Sequence, residues 1–468
     1  MKSFFFYDLE TSGLNARFSR IMQFAGIRTD LELNPIGEPI NILVKLSDDV
    51  LPDPGAVMIT GITPQSTLAD GLTEPEFCKL LMSDVFTPDT ITVGFNSVRF
   101  DDEFIRHTLW RNFYDPYEWA WSEGRSRWDM LDVVRMTRAL RPDGINWPVD
   151  DSGKAVNKLE LIAKANDLVH TKAHDALSDV EALIGVAKLI RTNNAKLFDY
   201  LLSMRDKKEV AKLVNLEQPQ PFVYSSGRYD TAFEKTTVAL PIAPGAKPGS
   251  VLVYDLRYDP TPFLSATPAA LASIIFADRE TREREDYQRL PVKELTYNKC
   301  PAVAPLGVLD EPSRKRLAVD LEVVKRHMDI LSANTAFSGA VREAFEMREP
   351  YEPSSDVEGQ LYVGFVNDKD KVKMSAVRAA DVEALADFHP TFVDERLDEL
   401  LFRYKARSFP ASLSEDEMRR WETYRHDKLK TQLPIYLEQL KKLSSYTRDT
   451  YLLEELQLWA ESIIPSDI

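Results

Sequence analysis

The chain has 468 residues, of which 44% are hydrophobic and 28% charged, as is typical of globular proteins. Its formal net charge of −16 argues against attraction of nucleic acid through bulk charge, but leaves room for a local basic groove. The only cysteines, Cys78 and Cys300, argue against a disulfide framework or a cysteine metal site and favour a reducing cytoplasm. No apolar run approaches the roughly 20 residues of a membrane span, and the N-terminal apolar run stops at Asp8, too early for a signal peptide.

The first predicted element is a strand at residues 4–10, an apolar run that ends in Asp8, Leu9 and Glu10. Because side chains alternate across a strand, Asp8 and Glu10 share one face, about 7 Å apart. Two such carboxylates repel each other unless a cation lies between them, and Mg²⁺ and Mn²⁺ accept carboxylate ligands. Taken alone, the pair is more simply interpreted as two solvated acids, so its meaning depends on partners elsewhere in the chain.

The next elements indicate an α/β layer fold over residues 1 to about 195, because strands are followed by interleaved helices. Further strands are predicted at 20–28, 39–45 and 91–95, and helices at 74–82, 102–111, 131–140, 158–165 and 176–191. Residues 52–55 are predicted to form a turn, and residues 59–64 a loop punctuated by Gly and Pro.

Beyond about residue 216 the pattern changes to short strands and then to helices. Strand-like runs occur at 221–224, 237–240, 250–254 and 291–296, and helical runs at 314–331 and 335–346. These runs predict a small barrel-like β domain with attached helices, followed by a linker at 348–353. The rest is predicted to be helical, with amphipathic runs at 395–406, 414–430, 434–445 and 449–463.

A third candidate acid follows the strand predicted at 91–95. Asp101 lies where that strand gives way to a helix, a common position for an active-site ligand. Asp is also a favoured helix N-cap, so a purely structural role is an equally simple interpretation. Asp102 follows directly, and spacing alone does not decide which of the two faces a site; the context of Asn96 and Phe100 favours Asp101.

A histidine and a fourth acid precede the helix predicted at 176–191. The spacing of His174 and Asp179 corresponds to about 140° around an ideal helix, so they converge only if His174 lies in the preceding loop. Asp175 is then a suitable helix cap. A lone histidine is more often a surface or core residue, but its position beside a further acid favours a functional role.

The ordered set of acids and histidine resembles the motifs of the DnaQ-like exonucleases, which carry four acids and a histidine. Its members here are Asp8, Glu10, Asp101, His174 and Asp179. Within that superfamily the chain is most similar to the bacterial exonuclease I family, without a departure at the motif positions. The similar stretches cover essentially the whole chain, at residues 23–25, 37–39, 54–57, 59–65, 98–103, 111–117, 141–148, 298–301, 360–362 and 404–407.

The resemblance implies an RNase H-like (DnaQ-like) mixed-sheet exonuclease domain at 1–194, an SH3-like β-barrel domain at 195–349 and an α-helical domain at 350–468. It further implies a cytoplasmic, monomeric 3′–5′ exonuclease that degrades single-stranded DNA processively to 5′-mononucleotides in DNA repair and recombination. Two Mg²⁺ ions, replaceable by Mn²⁺, would be held by the four acids, and His174 would act as general base. Coordination to such an ion brings the pKa of water toward neutrality.

Substrate binding requires cations for phosphates and flat rings for unstacked bases, and residues 106–135 supply both. An aromatic-rich core with a solvated rim is the alternative interpretation of that segment. Together with the residues that the resemblance implies, the substrate candidates are Glu10, Arg106, Tyr117, Trp121, Arg135, Lys158, Asn298, Lys299, Gln360 and Tyr362, with Phe365 beside the last two.

The resemblance also implies a protein partner, the acidic, Phe-ending C-terminal tail of single-strand DNA-binding protein. Arg141 and Tyr200 would supply charge and an aromatic wall, although a surface salt bridge and a helix-packing tyrosine are simpler roles for them. Two alternative functions stay open: a 3′–5′ exoribonuclease on the same catalytic fold, and a non-catalytic single-strand-binding scaffold. The large β and helical extensions favour exonuclease I over the first, and the complete acid set argues against the second.

Overall fold

A computed structural model describes residues 2–168, 175–447 and 450–464. The chain folds into two compact units, each made of segments that are distant in sequence. The first unit comprises Met1–Ser126, His170–Ile184 and Glu352–Ile468, and the second comprises Arg127–Val169 and Gly185–Tyr351. No helix among the described residues is long and apolar enough to cross a membrane.

The first unit is built on a mixed sheet, as predicted. Its strands are β1 (Ser3–Thr11), β2 (Ile21–Thr29), β3 (Ile40–Leu43) and β4 (Thr90–Gly94), in the order β3-β2-β1-β4. Strand β1 pairs antiparallel with β2 and parallel with β4, which makes it an interior strand. Phe5, Tyr7 and Leu9 of β1 pack in one buried cluster, so alternation directs Asp8 and Glu10 to the opposite face.

Helices from both ends of the chain complete the first unit. The N-terminal part contributes α1 (Pro54–Thr60), α2 (Pro64–Asp70), α3 (Glu74–Leu80) and α4 (Asp101–Arg111). The C-terminal part contributes α14 (Asp368–Ala379), α15 (Val382–Ala386), α16 (Arg396–Ser408), α17 (Glu415–Ser444) and α18 (Thr450–Ile463). Trp110 of α4 shares a buried cluster with Leu400 and Leu401 of α16, so the two ends of the chain form one hydrophobic core.

The second unit contains an antiparallel five-stranded sheet, in agreement with the predicted β domain. Its strands are β6 (Phe222–Ser225), β7 (Thr236–Pro244), β8 (Ser250–Asp255), β9 (Val292–Thr296) and β10 (Ala302–Pro305), in the order β10-β6-β7-β8-β9. Its helices are α5 (Met130–Leu140), α6 (Leu159–Ala165), α8 (Lys207–Leu213), α9 (Pro268–Ile275), α10 (Arg279–Arg282), α11 (Glu311–Arg316), α12 (Leu321–Ala333) and α13 (Thr335–Glu346). Strand β5 (Ser126–Asp129) and helix α7 (Ala176–Ser203) continue along the chain from the first unit into the second.

Several predicted boundaries were wrong. The helix predicted at 314–331 is two helices, α11 and α12, because Ala318 adopts a left-handed φ of 49° and Asp320 caps the second helix. The helices predicted at 414–430 and 434–445 are one helix, α17, with Pro434 inside it. The turn predicted at 52–55 and the loop predicted at 59–64 are shorter than expected, because α1 starts at Pro54 and α2 at Pro64, prolines that suit the first helical turn.

Candidate active site

Strand β1 holds Asp8 and Glu10 on a rigid support. Leu9 between them is buried, and the pairing with β2 continues up to Glu10, which lies opposite Gln23. The register then shifts between Glu10 and Thr11, so a β-bulge follows the second acid directly. Bulges redirect the side chains of a strand and are frequent next to active sites.

Three of the four predicted metal ligands converge in the structure. Asp8, Glu10 and Asp179 each offer a carboxylate oxygen, and these oxygens lie within 4.8 Å of one another. All three residues are partly buried. Such a set of hard oxygen donors fits a divalent ion of the Mg²⁺ or Mn²⁺ class, which is bound by a few carboxylates and retains water.

Among the described residues, burial and like charge both raise the pKa values of acids in this cluster. Burial raises the pKa of Asp8 well above its usual range, and the neighbouring charge of Asp101 raises it further. Burial also raises the pKa of Glu10 to about 8, with further increases from the charges of Asp179 and Asp101. Burial and mutual repulsion thus disfavour the charged form of Asp8 and Glu10, and a bound cation would offset both effects.

We expect a divalent cation to stabilise the protein more at about pH 8 than at about pH 6. The pKa of Glu10 rises from 4.5 to about 8 on folding, so the stability that its proton provides is present below 4.5 and is lost as the pH rises through 8. A cation competes with this proton and therefore binds more tightly at the higher pH; at a concentration 100 times its Kd, it stabilises the folded protein by about 2.7 kcal/mol. Thermal unfolding with and without Mn²⁺ at both pH values measures the difference.

The matched variant for this experiment is Glu10→Gln, which keeps the shape of the side chain and removes its titration. We expect this variant to show a smaller Mn²⁺ shift and a weaker pH dependence of that shift. Equal Mn²⁺ shifts at both pH values in the unaltered protein would contradict the interpretation of the cluster as a cation site.

Long-range contacts separate the roles of Asp101 and Asp102, which sequence spacing left open. Asp102 is buried and accepts a hydrogen bond of 2.5 Å from the hydroxyl of Tyr7, which belongs to the opposite face of β1 from Asp8. Asp101, also buried, is instead close enough to raise the pKa of Asp8 and Glu10 through its charge. The acid that faces the cluster is therefore Asp101.

Helix α7 brings Asp179 to the cluster, and the residues before it are tied to the sheet. The Gln23 amide donates to Asp175 Oδ1 at 3.1 Å and also to Asn41 Oδ1 at 2.9 Å. Asp175 in turn accepts from the hydroxyl of Ser178 at 3.2 Å, within the first turn of α7. His174, the predicted general base, lies outside the described residues.

Sequence reasoning missed this second layer of polar residues. Asp175 was assigned only as a helix cap, yet its charge also raises the pKa of Glu10. The available signal was Gln23, a polar residue within the apolar run at the start of β2.

The first unit gathers several of the predicted substrate residues into one aromatic and cationic group. The ring centroid of Tyr117 lies 6.3 Å from that of Tyr362 and 5.5 Å from that of Phe365. The guanidinium of Arg106 lies 5.9 Å from the centre of the Tyr117 ring and 3.4 Å from the Tyr362 hydroxyl. Phe365 is 86% exposed, so a large apolar ring faces solvent at the edge of this group.

Two further substrate candidates of the first unit, Trp121 and Gln360, differ in exposure and in hydrogen bonding. Trp121 is 66% exposed, which leaves its ring accessible. Gln360 donates to the carbonyl of Ser354 at 2.7 Å, and its own carbonyl accepts from Arg396 at 2.7 Å. These bonds fix the segment that carries Tyr362 and Phe365, which is a positioning role.

The remaining substrate candidates belong to the second unit. Arg135 pairs with Asp132 at 2.6 Å, and Lys158 is exposed, 3.9 Å from Glu160 at the start of α6. The carbonyl of Asn298 accepts from Arg127 at 3.1 Å, and the backbone N–H of Lys299 bonds to Thr296 in the turn after β9. All four remain candidates for phosphate contacts.

The two proposed partner-binding residues lie in the second unit. Each also makes the contacts expected of a purely structural role, an ion pair for Arg141 and hydrophobic packing for Tyr200. Arg141 forms an ion pair with Asp310 at 3.1 Å and donates to the carbonyl of Val308 at 2.9 Å. Tyr200 packs against the hydrophobic cluster that contains Met204 and Val210. Arg141 stays one-third exposed, so part of its guanidinium is open to a partner.

Comparison with known proteins identifies the family and confirms the fold class. Sequence models of three families match the chain: an exonuclease family at residues 5–187, the exonuclease I SH3-like domain at 205–347 and the exonuclease I C-terminal domain at 355–463. Exodeoxyribonuclease I of Escherichia coli K12 is 39% identical over 469 residues, covering 99% of this chain and 98% of that protein. The chain belongs to the exonuclease I family.

Solved structures of the exonuclease I family match over nearly the whole chain. The E. coli enzyme in complex with a dA16 oligonucleotide has a TM-score of 0.96 at 39% identity, with 99% of this chain and 100% of that one covered. The zinc-bound form of the E. coli complex with single-stranded DNA has a TM-score of 0.94 at 38% identity, with 99% of each chain covered. The predicted fold class, a DnaQ-like domain followed by SH3-like and helical domains, is confirmed, and the chain is an exodeoxyribonuclease. The division at 194 and 349 remains our proposal for the domain boundaries.

Proposed function

We propose that this member of the exonuclease I family removes nucleotides from the 3′ end of single-stranded DNA as 5′-mononucleotides, using two Mg²⁺ ions that Mn²⁺ can replace. The observation that carries the proposal is the convergence of Asp8, Glu10 and Asp179, whose carboxylate oxygens lie within 4.8 Å of one another. When bound, the ions supply activation of water near neutral pH and stabilisation of charge on the leaving oxygen.

Metal binding, proton transfer and positioning are assigned to different residues of the chain. Asp8, Glu10 and Asp179 hold the cations, and buried Asp101 adds negative charge beside them. His174 accepts the proton of the attacking water, a task suited to an imidazole whose ordinary pKa is about 6.5. Asp175, bonded to Gln23 and Ser178, fixes the start of α7 and hence the position of Asp179.

Each unit offers aromatic or cationic residues for strand binding. In the first unit, Tyr117, Tyr362, Phe365 and Trp121 offer ring faces for unstacked bases, and Arg106 offers charge for a phosphate. In the second unit, Arg135, Lys158, Asn298 and Lys299 are the residues that we assign to phosphates of the strand. Base stacking on aromatic rings contributes about 1–3 kcal/mol per base and tolerates any sequence, as an exonuclease requires.

The direct test is a digestion with Mg²⁺ of three labelled substrates: single-stranded DNA, duplex DNA and single-stranded RNA, each labelled at the 5′ end. We expect ladders that shorten from the 3′ end, fastest on single-stranded DNA. Preferential digestion of RNA would instead support the exoribonuclease alternative, and binding without any cleavage would support a scaffold.

Processive digestion is a second part of the proposal. It is supported by substrate candidates distributed over residues 106–135, 158, 298–299 and 360–365, far more than one nucleotide needs. In a single-encounter experiment, excess unlabelled strand traps every enzyme that dissociates. Long labelled products that disappear without intermediates are the expected result, and a ladder of slightly shortened strands would contradict processivity.

We also propose that Arg141 and Tyr200 bind the acidic, Phe-ending tail of single-strand DNA-binding protein. Arg141→Ala is expected to weaken binding of a fluorescent tail peptide by about tenfold, because a charge-assisted bond contributes about 1.5–3 kcal/mol. The control is Arg342→Ala, which removes a half-exposed arginine from its ion pair with Glu346 in the same unit. Unchanged peptide affinity in Arg141→Ala would remove this residue from the site.

A further inference from the structure

A cavity of about 450 Å³ opens on the second unit beside the strands of its antiparallel sheet. Its walls combine three aromatic rings, two arginines and a buried acid: Tyr229, Tyr258, Phe263, Arg228, Arg289 and Asp255. This volume lies within the range of small-molecule sites, about 300–1,000 Å³. The cavity is separate from the catalytic carboxylates, which all belong to the first unit.

The two arginines of this cavity are available to a ligand. Arg228 and Arg289 are both exposed, and neither forms an ion pair within the described part of the chain. Arg257 nearby differs, because it lies over the Phe233 ring at 3.7 Å and donates to the carbonyl of Leu317. Exposed guanidinium groups without a carboxylate partner are suited to phosphate oxygens.

Asp255, the buried acid of the cavity wall, accepts hydrogen bonds through only one of its two carboxylate oxygens among the described residues. Asp255 is only 6% exposed, and its Oδ1 accepts from the Thr237 hydroxyl and from the backbone N–H of Arg257. Its Oδ2 has no hydrogen-bond partner among the described residues. A fixed carboxylate oxygen at a cavity wall selects a ligand that carries an N–H donor.

Aromatic rings supply the remaining walls. Tyr258 is 46% exposed, whereas Phe263 is buried and extends the apolar surface. Tyr229 packs edge-to-face on Tyr224 with ring centroids 5.4 Å apart, and the ammonium of Lys293 lies 5.2 Å from its ring centre. A flat ligand therefore has both a fixed ring and an accessible one to stack against.

The cavity also lies beside a residue already proposed to contact DNA. A Cβ built on Gly227, next to Arg228 in sequence, would lie 3.1 Å from both terminal nitrogens of the Arg135 guanidinium. Arg135, which is paired with Asp132, therefore lies next to the segment that carries Arg228.

We propose that this cavity holds one unstacked nucleotide of the single-stranded DNA, with its base between the aromatic walls and its phosphates on Arg228 and Arg289. The available oxygen of Asp255 is assigned to the exocyclic amino group of a base such as cytosine, a group that thymine lacks. The inference rests on the proposed function and adds a subsite outside the catalytic centre. The aromatic walls and the acceptor oxygen favour a base as the ligand over an acidic peptide, which is tested below as a competitor.

The first test removes the two phosphate-binding charges. The double variant Arg228→Gln, Arg289→Gln is expected to weaken binding of a long single strand about tenfold. It should also reduce the steepness of log K against log salt by about 1.4, because each of the two lost phosphate contacts contributes about 0.7. The matched control is Arg279→Gln with Arg282→Gln, which removes two exposed arginines of α10 in the same unit. The control is expected to leave both affinity and slope nearly unchanged.

Hydrolysis of a trinucleotide separates this inference from the proposed function. A substrate this short is expected to be cleaved equally by the double variant and the unaltered protein, because its scissile bond needs only the catalytic carboxylates. Loss of all hydrolysis in the unaltered protein would overturn the proposed function. Normal hydrolysis with unchanged strand affinity and salt slope in the double variant would overturn only the subsite.

The second test concerns the base. The unaltered protein is expected to bind oligo-dC about fivefold more tightly than oligo-dT, and Asp255→Asn to remove most of that difference. Tyr258→Ala, at an exposed ring, is expected to weaken both by about fivefold. Free dCMP and an acidic peptide serve as competitors: displacement of the strand by dCMP supports the subsite. Equal affinity for both oligonucleotides together with displacement by the peptide alone would overturn it.

Discussion

Replacement of Asp179 by asparagine is expected to lower kcat for single-stranded DNA by about 10³-fold or more, since metal-assisted charge stabilisation supplies several kcal/mol and each 1.36 kcal/mol is a factor of ten. Asp179 is one of the three residues whose carboxylate oxygens converge within 4.8 Å. Asparagine keeps its size but removes the charge that a divalent cation requires. Single-turnover kinetics on a 5′-labelled oligonucleotide measure the loss.

Two further measurements make this prediction specific. Thermal stabilisation by Mn²⁺ should fall in Asp179→Asn, because a ligand is lost, whereas unfolding without Mn²⁺ should change little or improve as like-charge repulsion is relieved. The control is Asp199→Asn, at an exposed acid further along the same helix. Near-normal turnover in Asp179→Asn would show that this acid is not part of the reacting centre.

Strand β1 shows what the alternation of side chains can predict from sequence alone. Strand alternation alone placed Asp8 and Glu10 on one face, and the structure has them there, opposite the buried Tyr7 and Leu9. The same rules did not decide between Asp101 and Asp102, because the deciding contact joins Tyr7 and Asp102 across 95 positions of the chain. Resemblance supplied the missing long-range information.

The boundary predicted at Pro434 was wrong, because proline can end a helix or, less often, lie inside one. Proline usually ends a helix because it lacks an N–H and clashes with the preceding turn, which led to a break at Pro434. In α17 the helix continues, and Leu429 and Tyr436 on either side are buried in hydrophobic clusters of the first unit. Tertiary packing therefore outweighs the local preference of proline.

Ala318 is the opposite case. Its left-handed backbone conformation interrupts a stretch whose sequence pattern predicts one continuous helix.

The least predictable feature is a buried charge network in the first unit, because its members come from segments hundreds of residues apart. Glu358 lies at its centre, 2.8 Å from Arg20 and 2.6 Å from Arg407. Its side chain is 2% exposed, as are those of Arg20 and Arg111. No local pattern distinguishes such charges from solvated ones, since hydropathy predicts each of them to lie at the surface.

Glu358→Gln is expected to destabilise the first unit by about 3–5 kcal/mol, because removing one partner of a buried ion pair leaves the others uncompensated. Chemical denaturation, followed through tryptophan fluorescence, measures the change. The control is Glu415→Gln, at an 87% exposed glutamate paired with Arg419, where a loss within about 1 kcal/mol is expected. A loss in Glu358→Gln as small as that of the control would show that the network does not depend on this charge.

The pH dependence of the same variant gives an independent check. Burial alone would raise the pKa of Glu358, but the charges of Arg407 and Arg20 outweigh it and hold the pKa well below its usual value of 4.5. A depressed pKa means that the stabilisation is present above pH 4.5 and is lost as the pH falls toward the folded-state pKa. The difference in unfolding free energy between the unaltered protein and Glu358→Gln should therefore be largest near neutrality and shrink in acid. A difference that stays constant down to about pH 3 would indicate that the variant acts through packing rather than through the lost charge.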